Sequence, residues 1–349
     1  MSTKNLREKL ENDFFFGTNF GFLAKADIFS TEQAMKDVEE IAKLNVPWVC
    51  VMVNVVQEHF FDTHVYADFD YTPSDFEIEG IIRAFRQRGI KVMLKLINIT
   101  LDSFPHCNIM TNQPPIPPTP ENGKYYDDMA EWFKEFGYAV VHYAELMERV
   151  EGELFCMSGE LLPTQVRGSE WRDIIRRVRQ VYNGGLTYEC SLIEELGIIE
   201  EDWFELFDVI AVSKYPSASD KPDPSVKYMI DYIRKNSLPS IKKIHERIGR
   251  PLFFAECGCR SVPIGHSVEG GWKAELPYNP QAQADYLDAL MTVFSAEPWW
   301  RGLLWWKWDE QQNRPQFHID PAGDTGFEMR NKPEICEAVK KWAAIIRAQ

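Results

Sequence analysis

The chain has 349 residues, and its 53 Asp and Glu outnumber 38 Lys and Arg, for a formal net charge of −15. That length accommodates a full hydrophobic core, and 45% hydrophobic with 26% charged residues are the proportions of a folded chain, which excludes disorder. The acidic balance has no Lys/Arg-rich block to offset it, and no run approaches 18 apolar residues, so neither nucleic acid nor a membrane is an expected partner.

Residues 1–16 lack the apolar stretch of an export signal, and the seven cysteines are an odd number. Both features lead to the expectation of reduced thiols and a cytoplasmic protein. The first apolar run is Phe14–Phe22. Helical spacing follows over Thr31–Leu44, where Ala34, Val38, Ile41 and Ala42 share one stripe behind a Ser30 or Thr31 cap. Pro47–Val55 is the second run. Thr72-Pro-Ser-Asp75 then introduces a helix over Ser74–Arg88, with Ile78, Ile81, Ile82 and Phe85 inward and Gly89 as its stop. Ile90–Ile97 is the third run, and helical spacing resumes over Asp127–Val150. The alternation continues through runs at Glu153–Met157, Gly184–Tyr188, Asp208–Val212, Pro251–Ala255 and Gly302–Trp306. Helices are expected between and after them, at Ser169–Tyr182, Pro224–Ile248, Pro280–Ser295 and Lys332–Ile346.

Eight runs without polar alternation, separated by helices, predict parallel strands buried on both faces. The expected fold is α/β: a single-domain (β/α)8 TIM barrel spanning 1–349. A doubly wound open sheet is the rival, but Gly17-Thr-Asn-Phe-Gly21 lacks the spacing of a phosphate-binding turn. Long βα loops are expected after strands 3, 7 and 8. They are His106–Gly123, with Pro114, Pro115, Pro117, Pro118 and Pro120; Ser261–Asn279, with Trp272 and Tyr278; and Asn313–Asn331. All follow C-terminal strand ends, the face on which barrel enzymes build their sites.

Two carboxylates stand at strand tips: Glu160, just past Leu154–Ser158, and Glu256, closing Pro251–Ala255. An unpaired carboxylate at the end of an apolar strand is costly. Two at one barrel mouth suit a general acid and a nucleophile acting at an anomeric carbon. The plainer account is that each caps a helix or pairs with Arg167 or Arg260. The chain's 11 Trp and 22 Phe exceed what a core of this size requires, and surplus Trp suits stacking on sugar rings.

Glu at the ends of strands 4 and 7 resembles the retaining clan A glycoside hydrolases. Within that clan the chain is most similar to glycoside hydrolase family 113, the β-mannanase family. The matching stretches are Tyr71-Thr-Pro-Ser-Asp75, Gly89-Ile-Lys-Val-Met-Leu-Lys95, Phe155-Cys-Met-Ser-Gly-Glu160 and Ser213-Lys-Tyr-Pro216. They continue with Phe254-Ala-Glu-Cys-Gly258, Leu304-Trp-Trp-Lys-Trp308 and Gly326-Phe…Asn331-Lys-Pro333. The resemblance implies that Glu160 is the acid/base, Glu256 the nucleophile and Tyr215 the hydroxyl that bonds the nucleophile. It implies a sugar platform at Trp306 or Trp308, and Lys95, Asn98 and Asn54 are candidates for sugar hydroxyls. A buried Lys paired to a carboxylate is an equal account of Lys95. One departure concerns the position before the acid/base. Many clan members carry Asn there, facing the sugar 2-hydroxyl, and this chain has Gly159.

Other constellations are poor. His59 and His64 beside Glu58 lack a third metal ligand and read as surface histidines, and Cys257-Gly-Cys259 alone is a weak metal or redox signal. The expectation is therefore a retaining β-glycosidase of β-mannan or manno-oligosaccharides. It has no cofactor and no metal, an oligosaccharide as its partner, and no oligomeric state legible in the sequence. Within the class the alternative is an exo-acting β-glucosidase or another clan A β-glycosidase; outside it, a carbohydrate-binding pseudoenzyme.

Overall fold

Val, Ile, Phe and Leu that recur without a polar face need cover on both sides, and a closed parallel sheet wrapped in helices provides it. The computed structural model describes residues 3–103, 106–110, 127–191, 202–267, 275–308 and 324–348. Its strands are β1 (Phe15–Phe20), β2 (Trp48–Gln57), β3 (Lys91–Thr100), β4 (Leu154–Gly159), β5 (Gly185–Cys190), β6 (Ile210–Ser213), β7 (Leu252–Cys257) and β8 (Trp300–Trp305). They pair in sequence order, and β8 closes on β1. This is the (β/α)8 barrel that the alternation predicts.

The helices are α1 (Thr3–Glu11), α2 (Glu32–Lys43), α3 (Asp75–Gln87), α4 (Asp128–Arg149), α5 (Gly168–Val181), α6 (Val226–Tyr232), α7 (Leu238–Ile248), α8 (Gln281–Phe294) and α9 (Pro333–Arg347). Their starts are chemically marked. Ser74 and Glu77 form a reciprocal capping box on α3, Thr31 caps α2, and Asp127 caps α4. The helix expected over Pro224–Ile248 is divided: a π turn at Ile233–Ser237 joins α6 to α7. Pro239, at the start of α7, has no N–H for the α-helical ladder.

The core has two parts. One lies between strands and helices and includes Val38, Ile81, Trp171 and Leu287. The other fills the barrel lumen, where Phe15 stacks on Phe253 at 4.1 Å and meets Trp48 at 4.7 Å. The unforeseen α1 turns Leu6 and Leu10 into this lumen cluster and stops its lower end. Arg250 pairs with Glu11 at 2.6 Å, and Arg301 donates to the Glu11 carbonyl. Among the described residues no helix is long and apolar enough to cross a membrane. Of the long loops expected, residues 111–126, 268–274 and 309–323 lie outside the described residues, and so do the loop prolines and Trp272.

The strands do not run evenly to the mouth. Register shifts interrupt β4–β5 between Cys156 and Gly159, β6–β7 between Val212 and Ser213, and β7–β8 up to Cys257. Irregularities of this kind re-aim the side chains that follow them. If α1 is the stopper of the lumen, Leu10→Ala should lower the unfolding free energy by about 2–5 kcal/mol. The loss should read as a lower urea midpoint with an unchanged slope.

Candidate active site

At the end of β4 the register shift leaves Gly159 opposite Glu189 of β5. Glu160 then adopts a left-handed backbone, φ 60°, which is strained for a side-chain-bearing residue. Two bonds hold it there. The Glu160 N–H donates to the Glu189 carbonyl at 3.0 Å, and the Leu161 N–H donates to the Tyr188 hydroxyl at 2.9 Å. Glu160 is half-buried.

Glu256 follows the second shift, opposite Ser213. Its carbonyl accepts the Lys214 N–H at 2.9 Å, so the β6 tip is bound to it and Tyr215 is delivered to its side chain. The Tyr215 hydroxyl donates to Glu256 Oε2 at 3.1 Å. Burial, and next the charges of Glu256, Glu160 and Glu189, hold the Tyr215 phenol well above its ordinary value, so it stays a donor. The other oxygen, Glu256 Oε1, accepts from Lys95 Nζ, which also donates to Glu189 Oε2. The Lys95 side chain is 1% exposed and that of Glu189 is 0%. Burial alone would lower the Lys95 pKa, but Glu189 and Glu256 outweigh it and hold the group well above the usual lysine value, as an ammonium. Burial and the charge of Glu256 push the Glu189 carboxyl upward, and Lys95 opposes them.

One carboxylate oxygen from each of Glu160, Glu189 and Glu256 lies within 4.8 Å of the others. Such a cluster suits a cation, and the cation touching two of its members is Lys95. The arginines that might have claimed the two strand-tip glutamates have other partners. Arg167 binds Asp127 and Glu170, and Arg260 binds Thr325. His64 is exposed and pairs with Glu135, and Cys257 and Cys259 are free thiols.

The remaining expected residues separate into two groups. Trp306, half-buried just past β8, has Lys95 Nζ 5.9 Å and Lys307 Nζ 5.2 Å from its ring and meets Phe22 edge-on at 4.7 Å. Gly258 makes that position reachable: a Cβ there would lie 2.6 Å from the Trp306 carbonyl oxygen, while the Trp306 N–H donates to Cys257 at 2.8 Å. Trp308 instead packs in the helix-side core at 2% exposure. Asn54 is buried and donates to the carbonyls of Ala24 and Tyr71, clamping two βα loops. Asn98 is buried and donates to Gln57 Oε1, which also accepts from Trp132. The structure thus brings Glu160, Glu256, Tyr215, Lys95 and Trp306 together and leaves Trp308, Asn54 and Asn98 in supporting positions.

Two contributors were not anticipated. Glu189 lies inside a strand that sequence reasoning ended at Tyr188; the signal was a carboxylate and a lysine, each within an apolar strand and each in need of an opposite charge. Asn19 is fully buried, and its amide donates to the carbonyls of Ala255, Leu304 and Trp305, tying the ends of β7 and β8 below Glu256.

The β-mannanase AaManA of Alicyclobacillus acidocaldarius, solved in complex with ManMIm, superposes with a TM-score of 0.77 at 24% identity, covering 96% of this chain and 98% of its own. A GH113 β-1,4-mannanase complex gives 0.76 at 22% identity, covering 95% and 99%. An endo-1,4-β-D-mannanase from Thermotoga petrophila gives 0.57 at 14%, also covering 95% and 99%. At these identities the likeness establishes the fold. No curated protein sequence matches. The model of Glycoside Hydrolase Family 113 matches residues 18–332. The chain therefore belongs to glycoside hydrolase family 113 and is a glycoside hydrolase.

Proposed function

We propose that the protein hydrolyses β-linked mannan or manno-oligosaccharides with retention of configuration, by double displacement at Glu256 and Glu160. The observation that carries this reading is the pair of carboxylates at the barrel mouth, with oxygens within 4.8 Å of one another. Retaining enzymes hold their two carboxyls about 5–5.5 Å apart, whereas inverting ones leave room for a water at about 6.5–9.5 Å. The sugar rests on the family, whose solved members described above are mannanases.

In the first step Glu256 attacks the anomeric carbon as Glu160 gives its proton to the departing oxygen. Lys95 and Tyr215 each engage one oxygen of Glu256, which favours the ionised nucleophile and fixes its direction of attack. In the second step Glu160, now a carboxylate, takes a proton from water, and the resulting hydroxide displaces Glu256 from the sugar. Trp306 offers the flat apolar face on which the sugar ring stacks.

Two results would test these roles. Glu256→Ala should abolish turnover of every substrate. Glu160→Ala should retain its first step on dinitrophenyl β-mannoside, whose leaving group needs no proton, and should be rescued by azide to give the β-mannosyl azide. Equal loss on activated and natural substrates in both variants, with no azide product, would overturn the assignment.

The tryptophans should divide by experiment in the same way. Trp306→Ala should lower kcat/KM with little change in Tm. Trp308→Ala should instead cost roughly 3–5 kcal/mol of stability, measured by denaturant unfolding.

A further inference from the structure

The residue before the acid/base is Gly159, and the space beside it is filled. A Cβ placed there would lie 3.2 Å from Glu189 Cβ, 3.2 Å from Lys95 Cε and 3.5 Å from Glu189 Oε2. A side chain there, such as the asparagine of the clan's pattern, fits only if the Lys95–Glu189 pair gives way by a few tenths of an ångström. That pair reaches both functional carboxylates. Its ammonium contacts Glu256, and the Glu189 backbone carbonyl holds the N–H of the strained Glu160. Glu189 itself is fully buried, and its Oε1 has no hydrogen-bond partner. A carboxylate kept in that condition is a standing cost that a merely packed core would avoid, because a neutral side chain of similar size would fill the space without it.

We infer that Glu189 is a positioning residue for the reaction: it anchors the Lys95 ammonium against Glu256 before attack and remains its charge partner once Glu256 has become an ester. This rests on the double-displacement reading above. When the Glu256 oxygen forms its bond to the anomeric carbon, the glycosidic C–O bond breaks, its electron pair leaves with the aglycone oxygen, and Glu160 supplies that oxygen's proton. Glu256 thereby loses its negative charge, while Lys95 remains an ammonium. Without Glu189 a buried ammonium would face a neutral ester, an arrangement that disfavours the intermediate and the transition state leading to it. With Glu189 the opposite holds. Esterification removes the repulsion between Glu256 and Glu189, so the Lys95–Glu189 ion pair is strongest in the glycosyl-enzyme. Gly159, Lys95 and Glu189 are on this account one device, with the glycine giving the ion pair its room.

The test uses the full-length protein and 2-deoxy-2-fluoro-β-mannosyl fluoride, which accumulates the glycosyl-enzyme. Labelling of the wild type on Glu256, located by peptide mass mapping, tests the mechanism itself, and its absence would overturn both readings. Given labelling, Glu189→Gln, which keeps shape but removes charge, should label about 100-fold more slowly. It should lose kcat on dinitrophenyl β-mannoside to a similar extent, with KM and Tm little changed. Glu189→Asp, which retains the charge, should recover most of the labelling rate and guards against a folding defect in the amide variant. The pH profile separates the two members of the pair. Lys95→Met removes the cation from the nucleophile and should move the acidic limb of kcat/KM to higher pH; Glu189→Gln should not. Wild-type labelling rates in Glu189→Gln would overturn the inference. Equal losses in the Gln and Asp variants accompanied by equal falls in Tm would overturn it too, since that pattern belongs to packing.

Discussion

An ammonium buried in the mouth of the barrel imposes order on what surrounds it. Lys95 cannot be solvated at 1% exposure, so it must be met by carboxylates, and those carboxylates must come from strands across the lumen. Glu189 arrives from β5 and Glu256 from β7. The clustering of three glutamates, which would be strongly repulsive alone, is tolerable because the cation stands among them. The same demand fixes finer details. A side chain at Gly159 would press on the pair, and Glu160, bonded through its backbone to Glu189, is carried into a left-handed conformation beside the other two carboxylates.

Backbone irregularity is the second element of the design. A regular strand alternates inward and outward, and Ala255 belongs to the lumen cluster, so regular alternation would turn Glu256 to the helix side. The shift between β6 and β7 reverses that outcome and places the carboxylate beside Tyr215 and Lys95. A comparable shift in β4 precedes Glu160. Asn19 and the glycine at 258 then secure the neighbouring strand ends, so that the Trp306 ring sits near the same ammonium. Site precision here comes from where strands break their own pattern.

These facts also explain how much of the molecule could be read from the sequence. The alternation of apolar runs with 3.6-residue stripes displayed the barrel because burial on both strand faces leaves few polar positions to confuse the pattern. Glu160 and Glu256 were visible because a charge directly after an apolar run is conspicuous. Glu189 was hidden by the opposite circumstance: enclosed by Tyr188 and Cys190, it looked like the end of a strand rather than a member of the carboxylate cluster. Asn54, Asn98 and Trp308 illustrate a further limit. Position near a strand end does not tell whether a side chain faces the mouth or braces a loop, and a clamp on Ala24 and Tyr71 carries no local signature. The helix α1 was missed because its partners are distant in sequence and its two inward leucines fill only a short stripe.

Helix α1 is held by residues far from it in sequence. Its Leu10 abuts the position of Gly185, Arg7 donates to the carbonyl of Glu205, and Glu11 is held by Arg250 and by Arg301. Every one of these partners lies in the second half of the chain. On a ribosome α1 emerges before these partners, and its docking is complete only once the strands from β5 to β8 have been made. Closing the floor of the barrel is therefore a late, long-range event, of the kind whose loop-closure entropy slows folding. Until it occurs, Leu6 and Leu10 and the open lumen above them are apolar surfaces awaiting one another, and a nascent chain of this protein has most to gain from a chaperone in that interval.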